Sequence, residues 1–157
     1  MTVVVNPVVA GFEPTYANAN TTPAVMTSGL VIFTTTGDLL IFGLMSVCNT
    51  ANGATASTLQ YTSTNNTTVT TANISAASAS LANVAAGVVV TAQLGAVSNA
   101  PTVSTAAGVS VSPWGGIRIP GNSSIKVVIG VGSTTGTWSH FVHWEPLQDG
   151  AILIPAF

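Results

Sequence analysis

The chain has 157 residues, of which 47% are apolar and only 4% charged, against about 25% charged in an ordinary domain. Its formal net charge is −2, with Lys126 and Arg118 as its single lysine and arginine. Two such side chains cannot build the phosphate-contacting patch that nucleic-acid binding needs, and the lone Cys48 excludes an internal disulfide. The longest apolar stretch, Leu81 to Leu94, is broken by Asn83, Gly87, Thr91 and Gln93 and falls short of the about 20 residues of a membrane helix. The polar surface is therefore left to Thr, Ser, Asn, Gln and backbone. Threonine is β-branched and suits a pleated, half-buried surface, so the composition predicts an all-β chain. Soluble sheets usually guard their edges with lysine and other charges. With so few charges, this chain must cover its edges by closure, by loops or by another subunit.

Residues 1–23 read as an extended arm. The segment Thr2-Val3-Val4-Val5-Asn6 wants to be a strand, but Pro7 removes a ladder donor and confines it to an edge or an arm. The arm packs either along its own domain or on a neighbouring subunit. Residues 24–157 read as one domain. Val25–Thr35 and Leu39–Thr50 are predicted as two strands joined in a hairpin by Thr36-Gly37-Asp38. Leu39-Leu40-Ile41-Phe42 is apolar without alternation, as in a strand covered on both faces. Cys48 ends that run and reads as a buried structural thiol.

Ala56–Thr64 and Val69–Ile74 are predicted strands, separated by the Asn65-Asn66 turn. Residues 75–86 are rich in Ala and Ser and read either as one or two helical turns or as loop and strand; a long helix is not expected, because Asn83 and the serines compete for backbone hydrogen bonds. Val88–Leu94 is a further strand. Residues 100–116 alternate Val103, Ala107, Val109 and Val111 with small polar residues, then stop at Pro113-Trp114-Gly115-Gly116.

The C-terminal stretch Ile117–Ile154 reads as two strands around a Gly/Ser/Thr loop, which is how a hairpin is written. Alternation puts Ile125, Val127, Ile129 and Val131 on one face of the first strand. On the second it puts Trp138, His140, Val142 and Trp144 on one face and Ser139, Phe141, His143 and Glu145 on the other. The expected register sets Val131 across from Trp138, Val127 across from Val142 and Ile125 across from Trp144, with Lys126 near His143 and Glu145. In all, eight to ten short strands punctuated by turns predict a jelly roll, a β-sandwich or a barrel.

No catalytic, cofactor-binding or metal-binding residue is assigned. His140 and His143 lie three apart and point to opposite faces of a strand, so they cannot share an ion. The four acids Glu13, Asp38, Glu145 and Asp149 would have to come within about 5–9.5 Å in pairs to hydrolyse a glycoside, and Asp38 and Asp149 lie in turns. Tyr61, Trp114, Trp138 and Trp144 read as core or interface anchors, or else as stacking platforms for sugar.

Two features carry a resemblance. One is the string Ile119-Pro120-Gly121-Asn122-Ser123-Ser124-Ile125, followed by Val128-Ile129-Gly130-Val131-Gly132-Ser133-Thr134-Thr135-Gly136-Thr137-Trp138, then Trp144-Glu145-Pro146-Leu147 and Asp149-Gly150-Ala151. The other is the nearly charge-free Thr/Ser/Ala/Asn body. Together they resemble the capsid decoration, or cement, proteins of tailed bacteriophages. The resemblance implies a non-enzymatic virion protein on the outer surface of the capsid, a homotrimer of jelly-roll subunits bridging capsomers, with the major capsid protein as partner. It implies no cofactor, nucleic acid or membrane. The runner-up reading is a fibre, spike or adhesin head that binds cell-surface glycan through the aromatics.

Overall fold

The structure is a computed structural model, and it describes residues 17–104 and 116–157. The described residues form twelve strands and no helix: β1 (Ala17–Asn20), β2 (Ala24–Thr27), β3 (Leu30–Thr35), β4 (Leu39–Cys48), β5 (Leu59–Asn65), β6 (Thr70–Asn73), β7 (Val89–Thr91), β8 (Thr102–Val103), β9 (Ile117–Ile119), β10 (Ser123–Ile129), β11 (Ser133–Pro146) and β12 (Leu153–Pro155). They make two antiparallel sheets. The larger runs β1-β11-β4-β7-β8, with β2 also on β11 and β9 also on β4; the smaller runs β12-β3-β10-β5-β6. Packed together, the sheets make the β-sandwich among the all-β forms expected.

The core lies between the sheets, where alternation sends every second side chain. Ile41, Leu44, Trp138 and Val142 from the larger sheet meet Phe33, Tyr61, Ile125 and Val127 from the smaller, all with 0% exposure. On β11 the predicted faces hold: Trp138, His140, Val142 and Trp144 are buried, whereas His143 is exposed. In Leu39–Phe42 the burial alternates after all, with Leu39 and Ile41 inside and Leu40 and Phe42 half-buried.

Both expected hairpins are corrected. β10 and β11 belong to different sheets: β10 pairs with β3 and β5, and β11 pairs with β1, β2 and β4. The chain crosses from one sheet to the other at Gly130-Val131-Gly132, with Gly132 at φ +64° and Val131 turned out to 55% exposure. Val127 and Val142 thus face the core from opposite sheets instead of sitting side by side in one. Lys126 pairs with Thr62 and Val31 in the smaller sheet, while His143 pairs with Gly43 and Asn18 in the larger. The expected grouping of Lys126 with His143 and Glu145 therefore does not form. Likewise Val25–Thr35 divides into β2 and β3, and Thr36-Gly37-Asp38 carries the chain between sheets rather than closing a hairpin between β3 and β4.

The reason is shared. A Gly/Ser/Thr loop permits a sharp reversal but does not say whether the returning strand lies beside its predecessor or across the core from it. Much of the expected loop is in fact strand. Ser133 and Thr137 of β11 pair with Thr27 and Val25 of β2. The buried Asn52 accepts the backbone N–H groups of Thr135 and Gly136 on its Oδ1 at 2.8 and 3.1 Å. Its Nδ2 donates to the Leu81 carbonyl at 2.7 Å.

Residues 75–86 form no helix. The serines compete for backbone bonds as expected: Ser75 Oγ accepts from Tyr61 N–H at 3.1 Å and Ser78 Oγ from Leu59 N–H at 3.0 Å. These hydroxyls satisfy β5 where β6 does not reach.

Candidate interaction surface

The histidines separate as alternation predicts. His140 is buried at 0% exposure, and its Nδ1 lies 2.7 Å from Ser46 Oγ, which lies 2.7 Å from Tyr61 Oη. The network joins β4 and β11 of one sheet to β5 of the other. Its Nε2 has no partner among the described residues. Burial lowers the imidazole pKa to about 4 and pushes the Tyr61 hydroxyl well above its usual range. A serine beside a histidine is the start of a nucleophilic pair, but no substrate reaches one sealed in a core. Cys48 is buried too, and burial raises its thiol pKa.

Three of the four acids lie among the described residues, and the Leu147 N–H donates to the Asp38 carbonyl at 2.9 Å, which sets Asp38 beside the stretch that carries Glu145 and Asp149. Asp38 pairs with Arg118 and accepts the Gly121 N–H at 2.8 Å. The Arg118 hydrogen bond and then that N–H hold its carboxyl below the usual range. Glu145 stands on β11 opposite Leu40, Asp149 is in the loop before β12, and Glu13 lies outside the described residues. Among the described residues no three His, Cys, Asp or Glu side chains gather as a metal site would require. Of the four aromatics weighed for stacking, Tyr61 and Trp138 have 0% exposure and Trp144 has 8%; all three are core. Trp114 lies outside the described residues.

What the fold presents instead is a contrast between its two sides. On one side the sheets are tied together: β1 lies against β12, Thr22 N–H donates to the Phe157 carbonyl at 3.2 Å, and Ala156 N–H donates to the Ile32 carbonyl at 3.0 Å. Residues 17–20, from the expected arm, pair here with Phe141–Trp144 of the same chain. On the other side β6 ends the smaller sheet among the described residues. Its four residues, Thr70-Thr71-Ala72-Asn73, are all exposed and uncharged.

Next to β6 the sheets part around a groove of about 320 Å³. Ser63, Asn65, Thr70 and Ala72 form one wall, with Ile117 and Ile119 of β9 opposite. Ser63 pairs with Ala72 and Asn65 with Thr70, and Ser63 shares the face of Tyr61, so this wall lies on the inner face of the smaller sheet; Arg118 also lines the groove. Aliphatic side chains stand exposed on both sides, Val69 and Val97 near the groove and Ile152 and Ile154 at β12, each between 45% and 80% exposed. Sequence reasoning raised the problem of unguarded edges without locating them, because an edge is defined by which strands pair.

Comparison with protein-family models, curated proteins and solved structures finds no significant match.

Proposed function

We propose that this chain is a structural subunit of a virion: a capsid decoration protein that sits as a trimer on the outside of a phage head and stabilises it by bridging capsomers of the major capsid protein. One observation carries the reading. Among the described residues the smaller sheet ends in an exposed strand, β6, without a single charge to discourage pairing. Soluble monomers protect such edges; a subunit that lives in an assembly uses them. The exposed aliphatics at both sides and the sequence resemblance support the same reading. Binding would come from surface packing and from repeated attachment across the shell rather than from chemistry.

The test is twofold. Sedimentation of the purified chain is expected to give a compact trimer, and the trimer is expected to bind phage shells that lack it and to raise their resistance to heat. A monomer that leaves such shells unbound defeats the proposal.

A further inference from the structure

The chain holds one Asn-Gly pair, Asn52-Gly53, and the fold closes around it. Asparagine before glycine is especially prone to deamidation, because glycine has no side chain to hinder attack of its backbone nitrogen on the preceding amide. Here each polar atom that the reaction uses is held. Asn52 Nδ2 donates to the Leu81 carbonyl at 2.7 Å. Its Oδ1 accepts from the Thr135 N–H, the Gly136 N–H and the Thr135 hydroxyl, at 2.8, 3.1 and 3.2 Å. The Gly53 N–H donates to Thr135 Oγ1 at 2.6 Å. We propose that Asn52 is a deamidation site kept latent by Thr135 of β11, and that it converts to aspartate or isoaspartate when residues 52–53 part from that strand. This rests on these residues alone and not on the assembly proposed above.

The chemistry fixes which contacts must go. The Gly53 nitrogen bonds to Asn52 Cγ as it gives up its proton, while Nδ2 gains a proton and leaves as ammonia, which closes a succinimide ring. A water then opens the ring at either carbonyl, giving aspartate or isoaspartate. Loss of the Gly53 proton ends the hydrogen bond to Thr135, and loss of ammonia ends the one to Leu81. The backbone is pinned as well: the Asn52 N–H donates to the Val84 carbonyl and the Gly53 carbonyl accepts from the Asn83 N–H, each at 2.8 Å. Asn52 is only 6% exposed, so the water that opens the ring also needs the contact with β11 to part.

The cover over the pair is thin. Thr135 is exposed and Gly53 half-buried, and the pairing of β11 with β2 shifts register between Ser133 and Thr137. A local opening needs less free energy than unfolding of the whole domain. The reaction therefore runs from an opened minor state, and its rate follows the population of that state. The change is one-way. Aspartate keeps an acceptor for the Thr135 and Gly136 N–H groups but has no donor for the Leu81 carbonyl, which is left unpaired. Isoaspartate lengthens the main chain by a carbon at residue 52 and displaces Gly53 from both Thr135 and Asn83.

The experiment incubates the full chain at neutral pH, folded and in urea that unfolds it, and follows residue 52 by peptide mapping and mass spectrometry. Conversion in the folded chain is expected to be slower by about tenfold or more, because an opening must come first. Thr135→Ala removes the hydroxyl at an exposed position and is expected to speed conversion of the folded chain about fivefold, the effect of one hydrogen bond lost. Thr135→Ser, which keeps the hydroxyl, is expected to match the parent. Ile125→Val weakens the core from the smaller sheet by a comparable amount and is expected to leave the rate unchanged. Equal rates in folded and unfolded chains overturn the proposal. So does a Thr135→Ala chain that converts no faster than the parent, and a slower one would mean that the hydroxyl assists the reaction instead of holding it back. Equal acceleration by Ile125→Val means that the whole domain must unfold first, which overturns the local opening at β11.

Discussion

His140 is the residue whose setting makes the sharpest demand on solution behaviour. Unfolded, its ring takes a proton near its ordinary pKa of about 6.5; folded, burial holds it neutral down to about 4. Between those values the unfolded chain binds more protons. The stability that this residue contributes is therefore complete above about pH 6.5 and is lost as the pH falls towards about 4, on the order of 3 kcal/mol in all. Asp38 acts in the same direction but lower, because its stabilisation is present above its ordinary value of 3.8 and is lost as the pH falls below it. Urea midpoints at pH 7 and pH 4.5 should differ clearly for the parent chain and much less for His140→Phe, which leaves the Ser46–Tyr61 bond in place. An equal pH dependence in both would show that the ring is not the cause. Val69 makes a smaller demand. It sits at φ +56° and is 80% exposed, a conformation that costs a β-branched residue about 1–2 kcal/mol. Val69→Asn is expected to raise the thermal midpoint, a gain of about 1 kcal/mol. The alternation of faces along β11 was legible at this scale: it separated His140 from His143 and placed both tryptophans inside. The partner of His140 was not legible, because Ser46 and Tyr61 reach it from other strands.

Among the elements, β11 shows how a strand can be written in loop-like residues. Ser133 and Gly136 are poor strand formers, and the stretch Ser133–Thr137 is held by Asn52, whose side chain satisfies two β11 N–H groups and the Leu81 carbonyl. Asn52→Ala is expected to cost about 2–4 kcal/mol in urea unfolding, since it leaves buried polar groups unpaired. Asn52→Asp, which keeps the acceptor and loses the donor, should cost less. Gly136 belongs to the same device: a Cβ there would run into the backbone carbonyls of Thr50 and Ala51. Gly136→Ala should cost about 2–4 kcal/mol. Gly132→Ala, at a positive φ but in open space, should cost only about 1 kcal/mol. Equal effects at the two glycines would show that β11 does not pack against residues 50–51 as described. Existence of the strands was readable from the runs of Val, Ile and Thr; the extension of β11 through Ser133–Thr137 was not, because only the neighbouring β2 and Asn52 make those residues a strand.

For the whole molecule, the near absence of charge sets the expectation. If copies associate through aliphatic side chains and backbone edges, the association should hardly respond to salt, since there are few charges to screen. Sedimentation at about 0.05 and about 0.5 M salt is expected to give the same oligomer within a factor of about two in association constant. A fall of tenfold or more would mean that ion pairs, not edges and valines, hold the assembly. Charge at the edge is the complementary probe. Thr71→Lys supplies the guard that β6 lacks and is expected to favour the monomer at a cost of only about 1 kcal/mol in folding stability, because the position is exposed and the change removes one hydrogen bond, that between the Thr71 and Thr64 hydroxyls.

The sequence by itself determined that this is a sheet protein, which side chains on each long strand face inwards, and that its edges would be short of charge. These are local properties: β-branched residues set the backbone preference, and a period of two sets the faces. Only the tertiary structure decided that β10 and β11, or β3 and β4, stand across the core from one another. An apolar face is buried equally well beside its neighbour or opposite it, and the choice falls to long-range pairing that no loop composition records. The same pairing left β6 at the border and opened the groove beside it.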